Sequence, residues 1–505
     1  MKKISNKALW LCLLAGTIAF TFTSGVWSIP VMAWVFPACF LTVTRNSRPV
    51  RGLLLVAAAI FVGGFLKWPG YLQLGTAMDN LIAAVLALIT LLPFIFDRIF
   101  YPMFIRGRGP AGRFVGSLIF PAAFASLEML MNYFPMGSTV AITLTQVENL
   151  PFIQTASLLG QFGLCFLIAW FGSAVYFLID FLVSEKSKSL KSLWPSLKKP
   201  VCILLAVYLA VYTFGGARII LAQPEGDMVK VALGQGPEIS LVDGEWLNAD
   251  LPTNLAQAEL EIDQAAAGGA SLILFNEEAF CIGSAEEAEM KALLSDRARD
   301  NGIYVVAGLE VYDENEELLS DNKITCVSPE GAELFDYTKT ILVPFVERGY
   351  YKVGDGNVRT IDMTLGDSTC KVSSVICYEG DFTRYINKIP ADTDIHLNPS
   401  WEWEGLGDFH NHALILRGVE NGFSVLKATY ESEVTASDYY GRCRSYSNPD
   451  ATGYDAVSFA YVPAEGVTTV YGLLGSVIDW SYVAFAAVLA IAALANKKKE
   501  NVKKA

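Results

Sequence analysis

The sequence predicts a two-part protein: an α-helical membrane bundle of about eight spans, and an α/β domain inserted between the seventh and eighth. Three observations predict it. The chain of 505 residues is 53% hydrophobic, too apolar for an ordinary soluble enzyme. Its apolar residues are segregated: 1–217 is a series of apolar runs, 223–471 reads as globular, and one more apolar run precedes a lysine-rich tail. The globular stretch alternates strand-like and helix-like runs, as mixed sheets covered by helices do. Domain boundaries are therefore expected at 1–222, 223–470 and 471–505.

A span needs about 20 mostly apolar residues. Seven candidates precede the globular part, near 8–27, 28–44, 52–67, 77–96, 114–133, 160–183 and 200–217, and an eighth lies near 475–495. Charge placement orients them. Lys2, Lys3 and Lys7 precede the first span, Arg45, Arg48 and Arg51 follow the second, and Arg98, Arg106, Arg108 and Arg113 follow the fourth. Lys186, Lys188, Lys191, Lys198 and Lys199 follow the sixth, and Lys497, Lys498, Lys499, Lys503 and Lys504 follow the eighth. The alternate loops hold almost no basic residue. Lys and Arg are retained on the cytoplasmic face of a plasma (inner) membrane. Both termini are thus expected to be cytoplasmic and the α/β domain extracytoplasmic. A net charge of −13 argues against nucleic acid as a partner.

Within the globular part, Met228–Pro237 reads as a core strand, Asn254–Gly269 as a helix stopped by two glycines, and Leu272–Phe275 as a buried strand. A second helix starts near Ala285, a strand near Ile303, and a hairpin over Lys323–Lys339 turns at Pro329-Glu330-Gly331. Strands at Cys370–Glu379, Asp394–Ser400 and Phe423–Tyr430 flank a helix over His410–Gly422. Nine cysteines show no CxxC and no zinc-like spacing. His410 and His412 are two apart on the helix and face different sides, so neither metal nor cofactor is expected.

Three reactive side chains lie at strand ends: Glu277, Lys339 and Cys377. A thiol needs a nearby base or cation to act as a nucleophile. A lysine aimed at it lowers its pKa and holds an oxyanion. A carboxylate beside it is a general base. Glu278 is adjacent to Glu277 and on a regular strand would point the other way.

Glu, Lys and Cys in this order resemble the nitrilase (carbon–nitrogen hydrolase) superfamily. With a multi-span N-terminal region and one C-terminal span, the chain resembles the apolipoprotein N-acyltransferase family over nearly its whole length. Lys339 runs on into Ile341-Leu342-Val343-Pro344-Phe345 and Glu347; Ile376-Cys377-Tyr378-Glu379 matches the cysteine motif; Arg417, Glu420 and Gly422 match a later helical element. The chain departs from the family at Phe275-Asn276, where Trp-Pro is usual, and at Tyr430-Glu431-Ser432, where Asn-Asn-Gly is usual. The choice of Glu277 over Glu278 as base, and the identity of the acceptor, stay open at these points.

The resemblance implies an α-β-β-α sandwich and acyl transfer through a thioester on Cys377, with Glu277 as base and Lys339 on the oxyanion. Glu347, Glu379 and Tyr378 are implied to orient these groups or the substrate. Phe345, Trp401 and Trp403 are expected to face lipid, as are Val346, Tyr350, Tyr351 and Phe409 in the same segments. The implied partners are a phospholipid donor, a diacylglyceryl-cysteine lipoprotein acceptor and the bilayer, with the enzyme a monomer. The alternatives are a membrane-anchored nitrilase-type amidase and an acyltransferase using another amine.

Overall fold

The structure, a computed structural model, describes residues 4–23, 27–67, 76–105, 109–138, 141–184, 189–221, 227–237, 240–242, 245–313, 319–402, 406–447 and 457–504. The chain forms two compact units, Met1–Ile219 with Leu474–Ala505, and Ile220–Leu473.

The first unit is helical. Among the described residues, six helices are long and apolar enough to cross a membrane: Pro49–Lys67, Asn80–Ile105, Ala111–Met131, Ala156–Ser184, Lys191–Leu221 and Val470–Lys498. The first two expected spans are shorter helices, Asn6–Thr21 of 16 residues and Pro30–Asn46 of 17. Basic residues expected between spans fall on helices instead, among them Arg98 within Leu92–Ile105, and Lys191, Lys198 and Lys199 within Leu190–Leu221. A long helix bends at Gly160, whose φ of 67° few other residues would adopt. Arg45 pairs with both oxygens of Asp97 at 2.9 and 2.6 Å and lies 3.7 Å from the centre of the Tyr101 ring. Both charges are enclosed by the bundle.

The second unit is a two-sheet sandwich. One sheet runs Ser458–Pro463, Met228–Gly234, Leu272–Phe275, Tyr304–Tyr312, Asp321–Val327, Glu333–Thr338, with Phe280–Gly283 also paired to Tyr304–Tyr312. The other runs Cys443–Ser447, Val434–Ser437, Ser424–Lys427, Ile395–Leu397, Ser368–Ser374, Arg359–Leu365. Side chains alternate across a strand, and the first strand shows the result. Val229, Val231 and Leu233 enter the core between the sheets with Met363, Val372, Ile395 and Leu426. Ala232 points to the other face, where helices Leu251–Ala267 and Glu287–Asn301 contribute Ala258, Ile262, Met290 and Leu294. Helix Gly407–Asn421 covers the second sheet through Leu414. This is the α-β-β-α order.

The local signals explain the helix ends. Asp250 caps Leu251–Ala267 by accepting from the Thr253 N–H at 3.1 Å, and Gly302 closes Glu287–Asn301 in the left-handed region. Two strands stop earlier than expected. Ser368–Ser374 ends before Cys377, which opens a 3-10 turn, Cys377–Asp381; the 423–430 run breaks at Ala428 into Ser424–Lys427 and Thr429–Tyr430. Arg359–Leu365 and Cys443–Ser447 are strands without an apolar signal, because their outward residues are polar. All nine cysteines are unpaired.

Candidate active site

Glu277 leaves the first sheet just past Leu272–Phe275. The turn Asn276–Glu278 settles onto the next strand at Gly308, where an added Cβ would stand 2.0 Å from the Asn276 carbonyl. Glu278 takes φ 55° in that turn. The reversal breaks strand alternation and corrects the expectation that Glu277 and Glu278 point apart. Asn322 Nδ2 donates to Glu277 Oε1 at 2.7 Å and to Glu278 Oε1 at 2.7 Å. Asn322 sits on Asp321–Val327, and its carbonyl accepts from the Lys339 N–H at 2.9 Å. One strand therefore registers the carboxylates against the lysine.

Lys339 is wholly buried. Its Nζ donates to Glu277 Oε1 at 2.6 Å and to Glu347 Oε1 at 2.5 Å. The other Glu347 oxygen accepts from the Val343 N–H at 2.7 Å, which closes the loop after the lysine. Burial would lower the Lys339 pKa, but the Glu277 and Glu347 carboxylates, with Cys377, hold it well above the ordinary range. Glu278 is pushed well up, by burial first and then by Glu277 and Glu310. It is the weaker candidate for base, since a carboxyl that favours its protonated form accepts a further proton only poorly.

Cys377 comes from the second sheet. Its φ of 47° turns the chain sharply, and its N–H donates to the Pro399 carbonyl at 2.8 Å. Glu379 makes the turn. Its carboxylate accepts from the Ile376, Thr340 and Ile341 N–H groups at 2.8, 2.7 and 3.1 Å and from the Tyr337 hydroxyl at 2.6 Å. It thus ties the cysteine turn to the segment after Lys339. Burial raises its pKa to about 7, against these donors.

The short strand Ser400–Trp401 joins the two halves. The Trp401 N–H donates to Glu277 Oε2 at 2.9 Å, and the Trp401 carbonyl accepts from Cys377 Sγ at 3.7 Å. Burial and Glu277 push the Cys377 thiol well up, only partly opposed by Lys339. Two carboxyl groups, Glu277 and Glu347, share the single Lys339 ammonium. A site with that balance holds a neutral thiol at rest and a base ready to take its proton.

Of the other expected residues, Tyr378 packs edge-on against Phe382 at 5.0 Å. Phe345, Val346 and Tyr350 are 69%, 53% and 51% exposed. Tyr351 and Phe409 are buried, contrary to expectation: Tyr351 turns in beside Glu278, and Phe409 lies on the inner face of its helix. Trp401 is half-buried against Tyr430, and Trp403 lies outside the described residues. Glu402, His410, Lys427 and Asn322 were not expected to have a role. A lysine closing the buried run Ser424–Lys427 and an asparagine inside a strand were the available signals, since both are unusual there.

Residues 230–449 match the family described as carbon–nitrogen hydrolase, and residues 12–174 match the apolipoprotein N-acyltransferase N-terminal domain. A carbon–nitrogen hydrolase domain on a chain with several membrane-length apolar helices supports a membrane-bound N-acyltransferase. The apolipoprotein N-acyltransferase of Geobacter metallireducens is 26% identical over 404 residues, covering 75% of this chain and 74% of that one. The chain is thus similar to apolipoprotein N-acyltransferases along most of its length. Among solved structures, an amidase from Nesterenkonia sp. is 18% identical, covering 49% of this chain and 94% of that chain, with a TM-score of 0.39. The same amidase carrying a covalent acetamide moiety on its cysteine gives 18%, 48%, 93% and 0.40.

Proposed function

We propose that this enzyme moves an acyl chain from a phospholipid, through a thioester on Cys377, to the N-terminal amine of a diacylglyceryl-cysteine lipoprotein. The observation that carries the reading is the meeting of Glu277, Lys339 and Cys377 in one buried site, with Trp401 main chain touching both acid and thiol. In the first step Glu277 takes the Cys377 proton as sulfur attacks the donor ester carbonyl. The oxyanion is held by Lys339, whose described partners take two of its three N–H bonds, and by a main-chain N–H after Cys377. The ester C–O bond breaks, and the lysophospholipid oxygen leaves with the proton from Glu277. In the second step the acceptor amine attacks the thioester and loses a proton to Glu277. The C–S bond breaks, and the thiolate regains that proton.

Glu347 keeps Lys339 directed at the reacting carbon, and Glu379 keeps the Cys377 turn closed. Phe345, Val346 and Tyr350 offer an exposed apolar surface beside the lysine for acyl chains; Trp401 and Trp403 would extend it. The basic-residue pattern puts this domain on the extracytoplasmic side, with both termini in the cytoplasm. Incubation of the full-length enzyme with phospholipid vesicles, followed by mass spectrometry of the Cys377 peptide, tests the reading. An acyl mass there, discharged by a diacylated lipopeptide with a free amine and not by its N-acetylated form, is expected. Fatty acid released to water at the turnover rate, without any amine, would instead make the enzyme an amidase-like hydrolase.

A further inference from the structure

Behind Cys377 lies a second buried cluster of charge that the reaction scheme leaves unused. His410, on helix Gly407–Asn421, places Nε2 3.1 Å from the Cys377 carbonyl. Its Nδ1 contacts a carboxylate oxygen of Glu402. The other Glu402 oxygen accepts from Lys427 Nζ at 2.5 Å, and Lys427 also donates to Asn411 Oδ1 at 2.8 Å. Glu402 and Lys427 are wholly buried, and His410 nearly so. Burial would raise the Glu402 carboxyl, but Lys427 and His410 hold it at about 2, so it is a carboxylate. The His410 ring therefore meets an oxygen that only accepts at each of its two nitrogens. A neutral imidazole donates from one nitrogen only, so the pattern requires a proton on both.

We propose that His410, held as an imidazolium between Glu402 and the Cys377 carbonyl, is a positioning residue that fixes the nucleophile's turn and supplies a second cation to its thiolate. Two facts give this weight. Cys377 adopts a left-handed backbone conformation that is strained for a residue with a side chain, so something must hold it. Its carbonyl is gripped by His410 and, at 3.3 Å, by Asn398 Nδ2. Charge supplies the second fact. Among the charges nearest the thiol, Glu277, Glu402 and Glu347 raise it and Lys339 lowers it, three acids to one base. His410 and Lys427, both on Glu402, add two positive charges and offset that surplus of two acids when the thiolate forms.

The inference rests on Cys377 being the nucleophile, and its test reads the thiol itself rather than acyl transfer. In the solubilised full-length protein, the rate of Cys377 alkylation by iodoacetamide is followed across a neutral-to-alkaline pH series, by mass of the Cys377 peptide. His410→Gln keeps a donor for the carbonyl and removes the charge. Its alkylation midpoint is expected to rise by about one pH unit, leaving about tenfold less thiolate near neutrality, with melting unchanged. Glu402→Gln removes a carboxylate that itself pushes the thiol up, so its midpoint should stay in place or fall. Should neither variant fold, ¹⁵N spectra of the wild-type protein decide, since it has three histidines: two protonated ring nitrogens on His410 are expected. An unmoved midpoint in a folded His410→Gln protein, or a neutral His410 ring, overturns the proposal. Absence of an acyl mass on Cys377 would overturn the thioester scheme and leave these two readouts standing.

Discussion

The helical unit and the α/β unit both bury charge, and they do so on different terms. In the helical unit, Arg45 and Asp97 form a matched pair: two bonds, one charge of each sign, and aromatic rings around the guanidinium. In the α/β unit, Lys339 serves two carboxylates while a third, Glu278, is pressed against them. A balanced buried pair has nothing left to exchange; it holds two helices together. A cluster with surplus acid has a proton to move and is stable only because Asn322 and main-chain N–H groups share the load. The difference between staple and active site is the imbalance, not the burial.

Four experiments break or sharpen that contrast. The largest effect is expected from Cys377→Ala: a loss of about 10⁴-fold or more in acyl transfer, no acyl mass on the peptide, and an unchanged melting temperature, because the thiol makes one weak bond. Glu277→Gln keeps the shape and an acceptor for the Trp401 N–H but removes the base; single-turnover acylation should slow by roughly 10²–10⁴-fold. Asp97→Asn should do the reverse. It leaves Arg45 buried without its counter-charge, which costs about 3–5 kcal/mol of stability, while acylation per folded molecule is unaltered; a chemical-denaturation series read beside the burst amplitude separates the two.

The smallest effect concerns His396, which neither cluster uses. Burial lowers its pKa to about 3, with Ser373 Oγ 2.9 Å from Nδ1. The unfolded chain binds the proton near pH 6.5 and the folded one does not. This contribution to stability is therefore complete above pH 6.5 and is lost as pH falls towards 3, at about 1.4 kcal/mol per pH unit. A His396→Gln variant should lose that part of the slope, and an identical slope in both proteins would show that the ring is hydrated.

The helix–strand alternation and the strand ends bearing Glu277 and Lys339 were legible in the sequence because periodicity and apolar runs report burial directly. Cys377 was legible as a residue and not as a turn: a strand-like run carries no sign that its last members leave the sheet. Glu278 was misjudged for the same reason, since alternation holds only while φ stays negative. Tyr351 and Phe409 look like surface aromatics until the buried Glu278 and the inner face of Gly407–Asn421 claim them. The Glu402–His410–Lys427 cluster is assembled from a turn, a helix and a strand, and no spacing rule links three such segments.

Trp401 offers a lesson about how this enzyme can be dissected. Its contacts to the acid and the thiol are made by amide hydrogen and carbonyl oxygen, and Pro399 receives the Cys377 N–H in the same way. Replacing side chains through this segment leaves those atoms in place, so an alanine scan would report what the Trp401 and Glu402 side chains do and stay silent on the seam of the two sheets. Only a change to the peptide link itself, such as an ester in place of the Trp401 amide, would expose what that seam contributes.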